Sequence, residues 1–146
     1  MKFFLQSLFV LLLCCNFIAC SKGGDAPAPP TPNPPVATEP SLTATNGVVV
    51  DIDPGATNIF AVVGTAQKMD VKLLAIPTSG VTIDVKMVRI VDNTTVFTNN
   101  FSSTSLSNVV TITGLVPGVL YQVVVVVTSK ATASNTKTIE FKIAAK

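Results

Sequence analysis

The sequence predicts an all-β fold: a single antiparallel sandwich of seven to nine strands. Three observations lead there. Short apolar runs rich in Val, Ile and Thr suit pleated, half-buried surfaces. Turn-forming residues separate those runs at short intervals. No stretch carries a helical period long enough to compete, so hairpins and crossings between sheets are expected in place of helices. Only 12% of the 146 residues are charged, which agrees with a chain that buries much of its length.

Taken in order, the candidate strands are residues 42–45, 48–52, 59–65, 71–76, 81–91, 95–101, 109–113, 120–128 and 138–143. The breaks between them have physical causes. Asp53-Pro54-Gly55 joins a side chain that bonds local backbone, a fixed φ and a residue free to take positive φ, while Thr78-Ser79-Gly80 and Asp92-Asn93 do similar work. Alternation separates the faces: Ile139, Phe141 and Ile143 point one way, and Thr138, Glu140 and Lys142 the other. Val81, Ile83, Val85 and Met87 alternate likewise with Thr82, Asp84 and Lys86. The phase then changes at Val88, Arg89 and Ile90, which predicts a bulge near Met87 or Val88.

The most distinctive stretch is Thr113-Gly114-Leu115-Val116-Pro117-Gly118-Val119-Leu120-Tyr121-Gln122-Val123-Val124-Val125. It resembles the E-to-F corner of fibronectin type III domains, which share the immunoglobulin-like sandwich. The resemblance implies a tyrosine corner, in which Tyr121 places its ring in the core and its hydroxyl against nearby backbone, with Leu115, Pro117 and Gly118 shaping the bend. Leu115, Val123 and Val125 take core positions on that reading. The Trp usual in strand B of that family has no counterpart here, since the chain has none.

The N-terminal residues read as an address. Met1-Lys2 is followed by the apolar run FFLQSLFVLLL, which is too short for a spanning helix of about 20 residues and ends in small and polar residues. Phe17-Ile18-Ala19-Cys20 resembles the lipobox of bacterial lipoproteins, with Phe17 in place of the usual Leu. That resemblance implies cleavage before Cys20 and covalent lipid on its sulfur, and Ser21, standing where an Asp would favour inner-membrane retention in that family, implies sorting to the bacterial outer membrane, facing either the periplasm or the exterior. A permanent anchor helix and an ordinary secretory cleavage site are the competing readings. Seven of the fifteen residues from Ala26 to Pro40 are proline, so this segment should form a semi-rigid rod of about 3.1 Å per residue and not a core. Its PxxP spacings also fit a ligand of an SH3-like partner. The expected organisation is a cleaved leader over residues 1–19, a lipidated Cys20 with a Pro-rich tether to residue 40, and a sandwich over residues 41–146.

Composition narrows the chemistry. With no His, imidazole acid/base catalysis and His-ligated metals are excluded, and Cys14, Cys15 and Cys20 all precede the tether, so the sandwich has no disulfide. Removing Lys2 with the leader leaves nine basic residues against eight acidic, which gives no footprint for nucleic acid. No nucleophile, phosphate-loop or paired-acid motif is present, so no enzyme and no cofactor beyond the lipid on Cys20 is expected.

Asp51 and Asp53, two residues apart, share a side of the strand or its end and are weak candidates for a Ca²⁺ site, with turn capping as the alternative. Asn93-Thr94-Thr95 and Asn100-Phe101-Ser102 fit a glycosylation sequon but read as loop residues. The outward register Leu120, Gln122, Val124 and Val126 forms either an exposed apolar strip or a doubly buried central strand. The expected task is non-enzymatic display of an interaction module that binds a protein partner through loops or a strand edge. An accessory binder of polysaccharide or calcium and a passive structural lipoprotein are the alternatives. A lone Tyr assigned to the core disfavours a sugar-stacking platform.

Overall fold

A computed structural model describes residues 38–52 and 59–146, all within one compact unit, Ala37–Lys146. The leader, Cys20, the tether up to Ala37 and residues 53–58, which include Asp53, lie outside the described residues. Eight strands follow one another: β1 (Val48–Ile52), β2 (Ile59–Val62), β3 (Ala66–Leu73), β4 (Val81–Arg89), β5 (Thr95–Ser103), β6 (Ser107–Thr113), β7 (Leu120–Ser129) and β8 (Thr136–Ala145). They form a three-stranded sheet, β1-β3-β6, and a five-stranded sheet, β2-β8-β7-β4-β5. No helix occurs among the described residues, and the architecture is an all-β sandwich.

Alternation drives the packing. Along β7 the residues Tyr121, Val123, Val125 and Val127 are all fully buried, and along β4 so are Val81, Ile83, Val85 and Met87. Met69, Val71, Val110 and Ile112 meet them from the smaller sheet. Fully burying an aliphatic side chain contributes roughly 1.5–3 kcal/mol, so this β-branched seam between two sheets is the main source of stability.

Several elements depart from the expected positions. Residues 42–45 are not a strand. Leu42 is fully buried, but the chain turns straight after it, Asn46 has φ 60°, and the Gly47 amide donates to the Ala44 carbonyl at 2.8 Å. The turn is so tight that a Cβ on Gly47 would lie 2.8 Å from the Leu42 carbonyl oxygen. The third strand begins at Ala66, not residue 71, and ends at Leu73. Gln67, Lys68, Asp70 and Lys72 hide its alternation, whereas the apolar run 74–76 that suggested a strand is a loop with Leu74 72% exposed.

One pairing is parallel: β2 runs alongside β8, with Ile59 opposite Lys142 and Val62 opposite Ala145. The register does shift between Met87 and Val88, but only on the β5 side, where Phe97 faces Met87 and Thr95 faces Val88. Val96 is therefore the extra residue. Against β7 the pairing of β4 is unbroken, so Arg89 lies opposite Tyr121 at the inward register. Turn chemistry behaves as its residues suggest: Asn93 has φ 56° after Asp92, and Gly80 has φ 80° with a Cβ position only 2.7 Å from the Ser103 carbonyl oxygen.

Candidate functional site

The strand directions define two poles. At one lie the end of β7, the starts of β4 and β8, and the leading segment at residues 38–47; at the other lie the starts of β5 and β7 and the end of β8. Ten residues of β7 at about 3.3 Å each separate the poles by about 30 Å.

At the first pole Asn135 fastens the incoming chain. Its Nδ2 donates to Glu39 Oε1 at 2.7 Å and to the Pro40 carbonyl at 3.0 Å, and its Oδ1 accepts the Leu42 amide at 2.8 Å. Ser129 Oγ donates to Glu39 Oε2 at 2.9 Å while accepting from the Ala131 and Thr132 amides. The Asn135 hydrogen bond is the main cause that holds the Glu39 carboxyl below its ordinary value, with Ser129 and Thr132 assisting against desolvation. A depressed carboxylate contributes stability that is complete above the unfolded value of 4.5 and is lost as pH falls through the lower folded value. Acidification below that point is therefore expected to loosen residues 38–42 before the sandwich unfolds. The Leu42 amide resonance should report this, and Asn135→Ala should reproduce the loosened spectrum at neutral pH. Nothing in local sequence pattern marks this clasp, because its partners are more than ninety positions apart.

The second pole carries the tyrosine-corner motif. Tyr121 is fully buried, and its hydroxyl accepts the Val116 amide at 3.0 Å, five residues upstream. Leu115 is buried, with its amide donating to the Thr65 carbonyl. Pro117 and Gly118 make the exposed bend, where Gly118 has φ 78° and donates to the Ala145 carbonyl at 3.0 Å. Around this corner the loops are apolar at the surface: Val63 is 86% exposed, Val91 83% and Val116 51%. Beside them Ile90, Val91, Val119 and Leu120 line a shallow groove of about 520 Å³, bordered by Arg89 and Gly118. Arg89 Nη1 bonds Asp92 at 3.2 Å, while its Nε is buried without a hydrogen-bond partner. Hydrogen bonds from the Thr94 amide and side chain, with a smaller contribution from the Arg89 charge, hold the Asp92 carboxyl below its ordinary value against desolvation.

Asp53 lies outside the described residues, and Asp51 sits on the outer face of the smaller sheet, opposite Asp70 and paired with Lys72 Nζ at 2.8 Å. Asp51 raises Lys72 above its ordinary value by hydrogen bond and charge, and Asp70 is occupied by Ser107 Oγ and the Asn108 amide. Among the described residues no three potential ligands gather to hold a metal ion.

The outward register of β7 is neither an open strip nor doubly buried. Leu120, Gln122, Val124 and Val126 are all half-buried, with Val124 between Lys86 and Glu140 and Val126 between Asp84 and Thr138. Asn93 is an exposed turn residue. Asn100, expected in a loop, lies in β5 and donates to Asp84 Oδ2 at 3.2 Å.

No protein-family model matches the chain, and no curated protein does. Among solved structures it is similar to an engineered protein, at 20% identity and TM-score 0.45 over 68% of this chain and 20% of that one. It is also similar to the sensor domain of the anti-sigma factor RsgI4 in Pseudobacteroides cellulosolvens, at 17% identity and TM-score 0.37 over 66% of this chain and 76% of that one. The chain thus spans about a fifth of the length of the engineered protein.

Proposed function

We propose that this chain is a non-enzymatic lipoprotein of the bacterial outer membrane, anchored through lipid on Cys20, whose sandwich docks a protein partner through the apolar loops of its second pole. One observation carries the reading. The chain joins the domain at the Glu39 clasp, whereas exposed Val63, Val91 and Val116 lie at the opposite pole, so a tether from a membrane presents those loops outward. Leu74 and Leu106 are exposed at the clasp end as well, but at the second pole Val63, Val91 and Val116 stand around the groove lined by Ile90, Val91, Val119 and Leu120, and an exposed apolar cluster beside such a groove favours burial against another protein. A fibronectin type III-like assignment of the sandwich draws support from the corner at Tyr121. It draws support also from the order β1-β3-β6 against β8-β7-β4, which corresponds to strands A-B-E and G-F-C of immunoglobulin-like sandwiches, with β5 as an added C′ strand.

The test is site-specific photocrosslinking on intact cells. A crosslinker at Val91 or Val63 is expected to yield a discrete heavier species, while one at Lys68, on the outer face of the smaller sheet, yields none. Crosslinks only from Lys68, or from no position, would reject the docking surface. A rise in melting temperature on adding Ca²⁺ or a surface polysaccharide would favour the accessory-binder alternative instead.

A further inference from the structure

The edge of the larger sheet has features that the distal loops do not explain. β5 ends the strand order, and among the described residues no strand pairs with its free side. It runs for nine residues, TVFTNNFSS, without a charge or a proline, and none of those residues is buried. Soluble proteins usually protect such an edge with Lys, Pro, a short strand or a bulge along its length. Here the bulge at Val96 sits near one end and leaves residues 97–103 in regular pairing with β4.

We infer that this edge binds the same edge of a second copy of the chain, antiparallel, about a two-fold axis through Asn99. The sequence of the strand argues for that occupant. In a continuous antiparallel sheet, paired residues must lie on the same face, so only registers centred on a single residue are allowed. Centring on Asn99 puts Phe97 of each copy opposite Phe101 of the other and Thr98 opposite Asn100. Centring on Thr98 would put Phe97 opposite Asn99, and centring on Asn100 would put Phe101 opposite Asn99. Among registers centred on a residue of the strand, only that on Asn99 gives both Phe97 and Phe101 an aromatic partner, and it pairs polar with polar at Thr98, Asn99 and Asn100.

Phe97 and Phe101 share the inward register, facing Met87 and Ile83, and are only partly covered as they pack against the core. A partner Phe across the edge extends the core over their exposed sides, and aromatic cross-strand pairs are among the more stabilising ones. No charge on either copy opposes the approach along the strand. This surface is separate from the distal loops and does not depend on what they bind.

Sedimentation velocity over a concentration series tests the inference. The full chain carries Cys20→Ala in this experiment so that lipid cannot cause association. A monomer–dimer equilibrium is expected, together with amide exchange in β5 that slows as concentration rises. Asn99→Lys sets two like charges face to face on the axis and should weaken the dimer about tenfold or more. Because Asn99 is already exposed, its melting temperature should stay near that of the parent. Mixing Asn99→Lys with Asn99→Glu chains should restore dimers, as a merely misfolded variant would not. Monomers at every concentration, or a dimer that Asn99→Lys leaves intact and Val91→Asp abolishes, would overturn the inference.

Discussion

Replacing Tyr121 by Ala is expected to cost about 3–5 kcal/mol, the range for deleting a large aromatic side chain from a packed core. Tyr121 is the largest fully buried side chain among the described residues, and its ring lies at the inward register of β7 opposite Ile143 on β8 and Arg89 on β4. Its removal leaves a void at the point where the β6–β7 loop closes over the pole. It also frees that loop, since the hydroxyl holds the Val116 amide at 3.0 Å. Tyr121→Phe separates the two contributions: it keeps the ring and removes only the acceptor. The Val116 side is partly exposed, so water can replace the lost bond and the cost should be about 1 kcal/mol. In a thermal melt the Ala variant should fall by roughly 15 °C or more and the Phe variant by a few degrees. Similar losses for both would assign the stability of the corner to the hydrogen bond and not to packing.

Cys20→Ala is expected to move the protein from the membrane fraction to the soluble fraction almost completely. One acyl chain holds a protein only marginally, at about 0.8 kcal/mol per buried methylene, but two or three together anchor it stably. On the proposed reading all of these chains hang from Cys20, so its loss removes the entire anchor and not a share of it. Mass spectrometry of the mature wild-type chain should show Cys20 as the N-terminal residue with diacylglyceryl mass on it. Continued membrane residence of the Ala variant would indicate an anchor elsewhere, with the apolar residues 3–13 as the first place to look.

The fold was readable where inward and outward positions differed in polarity or where a run of β-branched residues stood between turn signals. β1 spans the expected residues and β4, β7 and β8 lie within a few residues of expectation: in β4 and β8 Val, Ile and Phe alternate with Thr, Asp, Glu and Lys, whereas β1 and β7 were marked by Val-rich runs between turn residues. β3 was misplaced because the cue was apolar content: Ala66 to Asp70 contains one large apolar residue, Met69, while the loop after Leu73 contains Leu74 and Ile76. The break in phase at Val88 correctly located an irregularity, yet it could not show that the unmatched residue is Val96 on the neighbouring strand. That depends on which partner yields, and a single strand does not encode it. Glu39, Ser129 and Asn135 were invisible for a related reason. Each is an ordinary polar residue in its own segment, and only the folded topology brings the three together.

The placement of the two poles also has a mechanical consequence. If the incoming chain is pulled at Glu39 while a partner grips the loops around Val91, the load runs along the strand axes. The ladder bonds lie across that direction, so they resist sliding together as a group and do not open one after another. The hydrogen bonds of Asn135 and Ser129 with the incoming chain are then the first to strain, and the β4-β7-β8 sheet behind them acts as a stiff strut.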